Sequence, residues 1–409
     1  MPAIHLPRTI RIGGGVLNEL PEVLAAAGLR CPLIVTDSWI ASCGILERVE
    51  GLLSAAGLAT RTFTGVVPDP TVASVEAGCT FLAGGDHDCV IGLGGGSPMD
   101  SAKMIAVLQG RQISDLKAPH QEDAPGLPII AVPTTAGTGS EATRFTIITD
   151  EATDEKMLCA GLAYLPLIAV VDYELTLTKP ARLTADTGID SLVHAIEAYV
   201  SKRANPFADS MALSAMRLIW PNLPLACTDP GNREAREALM LGALQGGIAF
   251  SNSSVALVHG MSRPIGAHFH VAHGLSNAML MPLITKWSAP AALSRYADCA
   301  RAMGLADDAV GDQAAAARLV EGLEWINAEL SVPSPAQYGI TREKWDALTP
   351  LMAEQALASG SPGNNPRVPD AEEIAGLYGA AWGSRRDSHQ FGHRMDPTDQ
   401  LPKDQTVFR

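Results

Sequence analysis

Asp190 and His194 stand four residues apart in a segment of helical pattern, Gly188-Ile189-Asp190-Ser191-Leu192-Val193-His194-Ala195-Ile196-Glu197. On an α-helix that spacing puts both side chains on one face, one turn apart. Ile189, Val193 and Ile196 fall on an adjacent face and can bury it. A carboxylate and an imidazole so placed can grip one metal ion. Taken alone, the pair is more readily a plain contact on a helix face. A second cluster changes the weighing. Of the ten histidines, four lie close together in the chain: His259, His268, His270 and His273. Asp190, His194 and two of these four would complete a mixed oxygen and nitrogen site. Imidazole and carboxylate suit Fe(II) or Zn(II). The seven cysteines are scattered and form no C-x-x-C pair. Free thiols in a reducing compartment are therefore expected, rather than a disulfide framework or thiolate-bound zinc.

A second chemistry is written in glycine. Gly92-Leu93-Gly94-Gly95-Gly96-Ser97-Pro98-Met99-Asp100 follows an apolar run and opens a helical one. Glycines let a backbone approach a phosphate and tolerate positive φ. Ser97 fits an N-cap, Pro98 the first helical position and Asp100 a capping-box acid. A helix starting there offers unpaired N–H groups to a pyrophosphate. The third glycine of the dinucleotide fingerprint is absent, because Ser97 holds its place, so an ordinary tight turn is the competing reading. A further segment, Pro133-Thr134-Thr135-Ala136-Gly137-Thr138-Gly139-Ser140-Glu141, follows another strand-like run. Its small hydroxyl residues can bond phosphate or ribose. Two such turns at strand ends form the crevice in which open α/β sheets bind ligands. Asp37 follows a third run and can accept bonds from a ribose 2′-hydroxyl; its carboxylate would repel a 2′-phosphate, which favours NAD over NADP. Asp37 would serve equally well as a turn residue.

Elements must hold these residues in place. Short apolar runs at 9–12, 33–36, 60–63, 89–93, 128–132 and 168–171 alternate with helical patterns at 16–27, 46–56 and 72–82. Such alternation predicts an α/β fold on a parallel sheet. After Lys179-Pro180 the patterns are helical: 187–200, 206–220, 233–250, 291–302, 312–330 and 372–382. The expectation is a nucleotide-binding α/β domain over 1–180, an all-α metal-binding domain over 181–382, and a mobile tail over 383–409. The length of 409 residues is ample for such cores. A formal charge of −14 argues against general nucleic-acid binding and against docking on anionic lipid. No apolar run reaches the roughly 18 residues of a membrane helix, and no signal pattern opens the chain, so a cytoplasmic protein is expected.

Together these pieces resemble the iron-containing, group III alcohol dehydrogenases over about residues 5–382. The resemblance is carried by Gly94-Gly95-Gly96-Ser97 with Asp100, Pro133-Thr134-Thr135-Ala136-Gly137-Thr138 with Ser140-Glu141, Asp190 with His194, and His259-Gly260-Met261 with Pro264, Gly266 and His273-Gly274. It implies a dehydroquinate synthase-like architecture with the active site between the two domains. Metal ligands would be Asp190, His194, His259 and His273. Nucleotide contacts would be Asp37, Asp69, Gly95, Gly96, Ser97, Asp100, Thr134, Thr135, Thr138, Thr143 and Lys156. It also implies NAD, Fe(II) with Zn(II) as alternative, a small alcohol or aldehyde substrate, and a homodimer or larger assembly. Asp69 departs from the family's usual asparagine.

The larger departure is Arg263. Many members carry a histidine there that faces the active site. A permanent cation in its place would either bind an anionic substrate, such as an ω-hydroxy acid or a maleylacetate-type acid, or swing away to a nearby acid. His268 and His270 are the candidates for the missing proton relay. No Ser-His-Asp or Cys-His pattern such as G-x-S-x-G is present, which fits a hydride transfer needing no protein nucleophile. A non-catalytic nucleotide- or metal-binding protein and a metallohydrolase are the readings from other classes.

Overall fold

A computed structural model describes residues 3–383. Six strands, β1 (Thr9–Ile12), β2 (Pro32–Asp37), β3 (Arg61–Val66), β4 (Cys89–Gly94), β5 (Ile129–Pro133) and β8 (Ile168–Val171), form one parallel sheet in the order β1-β8-β5-β4-β2-β3. All six expected runs are strands, each within two residues of its predicted limits at all but one end. The interior strands are buried on both faces, which is why they read as unbroken apolar runs. Successive residues still diverge. Ile34, Ile91 and Leu93 pack with helices α1 (Leu20–Ala26) and α3 (Ile45–Ala55); Leu33, Val35 and Val90 pack with α4 (Val72–Ala83) and α5 (Gly96–Leu108). A short α2 (Ser38–Ser42) leaves β2.

β5, β4 and β2 are neighbours, with Gly94 paired to Pro133 and Val35 to Gly92. Asp37, the glycine turn and the Pro133–Thr138 loop therefore leave adjacent strands at the same edge. That edge is where a doubly wound sheet takes a ligand.

Two further strands were not expected. β6 (Phe145–Asp150) and β7 (Glu155–Ala160) form a separate antiparallel hairpin. Their half-polar alternation suits a ribbon with one face on the protein, and it is obscured by the hydroxyl-rich loop that precedes it.

Beyond Val171 the described residues contain no strand. The chain continues as α6 (Ala181–Val200), α7 (Pro206–Thr228), α8 (Arg233–Asn252), α9 (Leu257–Phe269), α10 (His273–Ser288), α11 (Leu293–Ala302), α12 (Asp312–Glu329), α13 (Arg342–Ala358) and α14 (Ala371–Ala381). α9, α10 and α13 were not predicted; each holds an internal proline, at 264, 282 and 350. Proline costs a helix a hydrogen bond, and here tertiary burial outweighs that loss. α6 is the hub. All but one of its residues from Thr184 to Val200 are buried, against α7, α8, α10 and α11. Among the described residues no single helix is long and apolar enough to cross a membrane. Apart from Gly383, the expected tail lies outside the described residues.

Candidate metal and cofactor site

Three helices converge on one point. α6 brings Asp190 and His194, α9 brings His259, and α10 brings His273 at its first position. Asp190 Oδ1 lies 3.5 Å from His259 Nε2, 3.7 Å from His273 Nε2 and 4.0 Å from His194 Nε2. Ligand atoms about 2.1 Å from one tetrahedral ion lie about 3.4 Å apart, so the spacing fits a shared cation with little movement. Asp190, His259 and His273 have ligand atoms within 4.8 Å of one another; His194 stands outside that closest trio. Its ring is fixed by stacking on Phe250 at 4.3 Å and on His259 at 4.5 Å.

The protonation states suit a metal. Burial pushes His194 down to about 3 and His273 down to about 4, so both are neutral imidazoles, the form that ligates. Burial opposes the charge on Asp190 too, but the positive charge that the three facing imidazoles share between them, kept mostly by His259, outweighs it and holds that carboxyl well below the usual range.

Spacing left two residues of the site unassigned. Glu197 lies seven residues after Asp190, hence within about 20° of the same helix face. Buried, it accepts His259 Nδ1–H at 2.7 Å and the N–H groups of Ala256 and Val258 at 2.8 and 2.6 Å. This fixes the tautomer of His259 and turns its Nε2 toward Asp190. Burial works against a charge on His259; the carboxylates of Asp190 and Glu197 beside it prevail and raise its pKa. Asn277 lies one turn after His273. Its Nδ2 donates to Asp190 Oδ1 at 2.6 Å and stands 3.2 and 3.4 Å from His259 Nε2 and His273 Nε2. The positive end of an amide dipole thus sits among three acceptors, where a cation would be held. The other end, Oδ1, is buried without a partner among the described residues. The i, i+4 signal of Asp190 and His194 recurs in His273 and Asn277, and would have found it.

α10 reaches the cluster because Gly274 has no side chain. A Cβ there would lie 2.2 Å from the Asp186 carbonyl oxygen and 3.3 Å from Asp190 Cβ. Gly274→Ala must therefore push α10 off α6 and carry His273 with it. The expected result is metal affinity lowered about tenfold or more, the scale of a disturbed ligand environment, with all ligands retained. Calorimetric titration with Zn(II) checks it; unchanged affinity would contradict the packing argument.

At the sheet edge, Gly94 has φ +146° and Gly95 caps α5, so the helix begins at Gly96. This corrects the expected cap. Ser97 is inside the first turn, and among the described residues no side chain caps the backbone N–H groups there. Thr135 Oγ1 comes 3.4 Å from a Cβ built on Gly95, and Thr138 Cγ2 comes 2.9 Å from one built on Gly96, so the two turns face each other closely. Thr134 Oγ1 is buried with no partner. Asp37 uses Oδ1 to cap α2 through Ile40 N–H at 2.8 Å.

Two of the expected nucleotide contacts make bonds within the protein. Asp100 accepts from Ser140 Oγ at 2.8 Å and Ile147 N–H at 3.1 Å. Thr143 accepts from the buried Lys103 ammonium at 3.1 Å. Both tie α5 to β6 and its loop, a demand invisible until the hairpin is known. Asp69 takes a left-handed φ of 50° and pairs with Lys156 at 2.8 Å.

His268 and His270 are not at the cluster. His268 is nine residues after His259, so about 180° around α9 and roughly 13 Å along it; it bonds Gln355 at 2.8 Å. His270 is exposed, in the left-handed turn that ends α9. Arg263 is four residues after His259 and shares its face. It is buried, and Nη1 donates to Ser361 Oγ at 3.1 Å.

A parallel-sheet edge with a glycine turn, set beside a carboxylate–imidazole cluster on helices, is an arrangement that could serve a metal-dependent, nucleotide-linked enzyme. Sequence comparison agrees. The family profile described as iron-containing alcohol dehydrogenase matches residues 7–173, and its C-terminal counterpart matches 184–382. The chain is 33% identical to the lactaldehyde reductase of Escherichia coli K12 over 382 residues, covering 92% of this chain and 98% of that one. It is 36% identical to the NAD-dependent methanol dehydrogenase of Bacillus methanolicus over 378 residues, covering 92% and 98%. The solved alcohol dehydrogenase from Oenococcus oeni superposes with a TM-score of 0.89 at 32% identity, covering 93% and 100%. The chain belongs to the iron-containing alcohol dehydrogenase family.

Proposed function

We propose that this protein interconverts a small primary alcohol and its aldehyde by hydride transfer to and from NAD, using Fe(II), with Zn(II) as the alternative metal. The observation that supports this most is the meeting of Asp190, His259 and His273 ligand atoms within 4.8 Å. Asp190, His194, His259 and His273 would hold the ion, which when bound supplies a Lewis acid that lowers the proton affinity of the substrate oxygen. The remaining work falls to the chain. Free N–H groups at Gly95, Gly96 and Ser97 bind the pyrophosphate. Thr134, Thr135 and Thr138 offer hydroxyls beside it, and Asp37 Oδ2 accepts from the ribose. Phe250 and the helices around it exclude water from the reacting atoms. No side chain acts as a nucleophile. The division near residue 180, a cytoplasmic location and a homo-oligomeric state belong to the same reading.

The test is NADH formation from primary alcohols by chelator-stripped and reloaded protein. Stripped protein is expected to be silent and Fe(II) or Zn(II) to restore it; full turnover after stripping would overturn the proposal. Asp37→Gly is expected to shift preference from NAD toward NADP by about tenfold or more, because the repelling carboxylate is gone. The ratio of kcat/KM values for the two nucleotides measures it. An unchanged ratio would remove Asp37 from the ribose site.

A further inference from the structure

We infer that Arg263 binds the oxyanion of an acidic substrate, so that the alcohol oxidised is an ω-hydroxy acid and the aldehyde reduced its ω-oxo acid. The inference rests on the dehydrogenase reading above and names the substrate class of that site.

Arg263 follows His259 by one turn of α9 and points to the same side. Its residue exposure is 9%. Among the described residues the guanidinium makes one hydrogen bond, from Nη1 to Ser361 Oγ. Nε is buried without a partner. Neither Nε nor Nη2 meets an acceptor, and they form the edge by which arginine takes a carboxylate side-on. No carboxylate of the described residues lies within ion-pairing distance of it. Glu197 is the acid whose charge reaches it, but that carboxylate is already occupied by His259 and the N–H groups that begin α9.

A second cation stands nearby. Lys156 Nζ lies 3.1 Å from a Cβ built on Gly266, three residues beyond Arg263. The charges of Lys156 and Arg263 both act on His273. Lys156 has its counter-charge in Asp69; Arg263 has none within ion-pairing distance among the described residues. A buried guanidinium near a bound dication is costly unless an anion stands between them. A substrate held by its oxygen at the ligand cluster and by its oxyanion at Arg263 supplies that anion, and makes two attachments that fix its reacting carbon.

The experiment compares metal-reloaded wild type, Arg263→Gln, Arg263→Lys and Arg263→His with propane-1,3-diol against 3-hydroxypropanoate, and butane-1,4-diol against 4-hydroxybutanoate. Wild type is expected to favour the acids in kcat/KM by about 100-fold, the scale of a buried charge-assisted pair. Arg263→Gln and Arg263→His should lose that preference, while Arg263→Lys keeps part of it. A role confined to holding the Ser361 turn would lower both substrate classes alike, with the ratio unmoved, and would overturn the inference. So would a wild-type preference for the diols. Should reloaded enzyme form no NADH from either class, the dehydrogenase reading fails, and calorimetric binding of 3-hydroxypropanoate decides the anion site separately. Binding by wild type that vanishes in Arg263→Gln supports the site; equal binding, or none, overturns it.

Discussion

Asp190→Asn is expected to abolish metal binding and to lower kcat/KM by about 1000-fold or more, since several kcal/mol of transition-state stabilisation leave with the ion. Asp190 supplies the sole carboxylate of the cluster, and its Oδ1 faces all three imidazoles. Neutral imidazoles alone do not offset a dication's charge in a buried site. The substitution keeps the side-chain shape, and α6 remains held by Ile189, Leu192, Val193 and Ile196, all in the main helical core. The fold should therefore survive. Metal analysis after anaerobic Fe(II) loading, paired with urea unfolding, separates the outcomes. A variant that folds, keeps a full equivalent of iron and turns over normally would refute the assignment of Asp190.

Glu197→Ala should be the most destabilising change at the site. α9 has no side-chain cap of its own, because Ala256 stands at its start. Glu197, reaching across from α6, accepts Ala256 and Val258 N–H and His259 Nδ1–H in that helix's place. Alanine leaves these buried donors unpaired, at a cost of about 3–5 kcal/mol. It also frees the His259 ring, which should weaken metal affinity by about 10–100-fold, as loss of a ligand's orienting partner does elsewhere. Glu197→Gln keeps one acceptor and should fall between. Urea midpoints and Fe(II) titrations measure both effects. Wild-type stability in Glu197→Ala would show that α9 is positioned by its apolar face alone.

The sheet and one pair of the proposed ligands were legible because each leaves a local signature, whereas which of the four clustered histidines join that pair came only from the resemblance. Parallel strands such as Cys89–Gly94 are buried on both faces and read as apolar runs. Asp190 and His194 lie on one helix at one-turn spacing. The hairpin Phe145–Asp150 with Glu155–Ala160 was hidden because its alternation is half polar. Without the hairpin in view, the bonds that Asp100 and Thr143 make to it, its loop and Lys103 could not be foreseen. His268 and His270 drew attention by density in the chain, yet density ignores helix phase: His268 falls on the far side of α9 from His259, and His270 lies beyond the helix. Glu197 and Asn277 obeyed the phase rule but not the ligand-type rule. One serves by orienting a ligand, and the other fills the ligands' meeting point.

Asp190, His194, His259 and His273 are expected to share one metal ion. Anomalous diffraction at the iron edge, from crystals grown anaerobically with Fe(II), addresses it directly. One strong peak per chain is predicted, within bonding distance of Asp190 Oδ1 and the three Nε2 atoms, with the Asn277 amide displaced from that point. A peak elsewhere, or none in crystals that retain the fold described above, would contradict it.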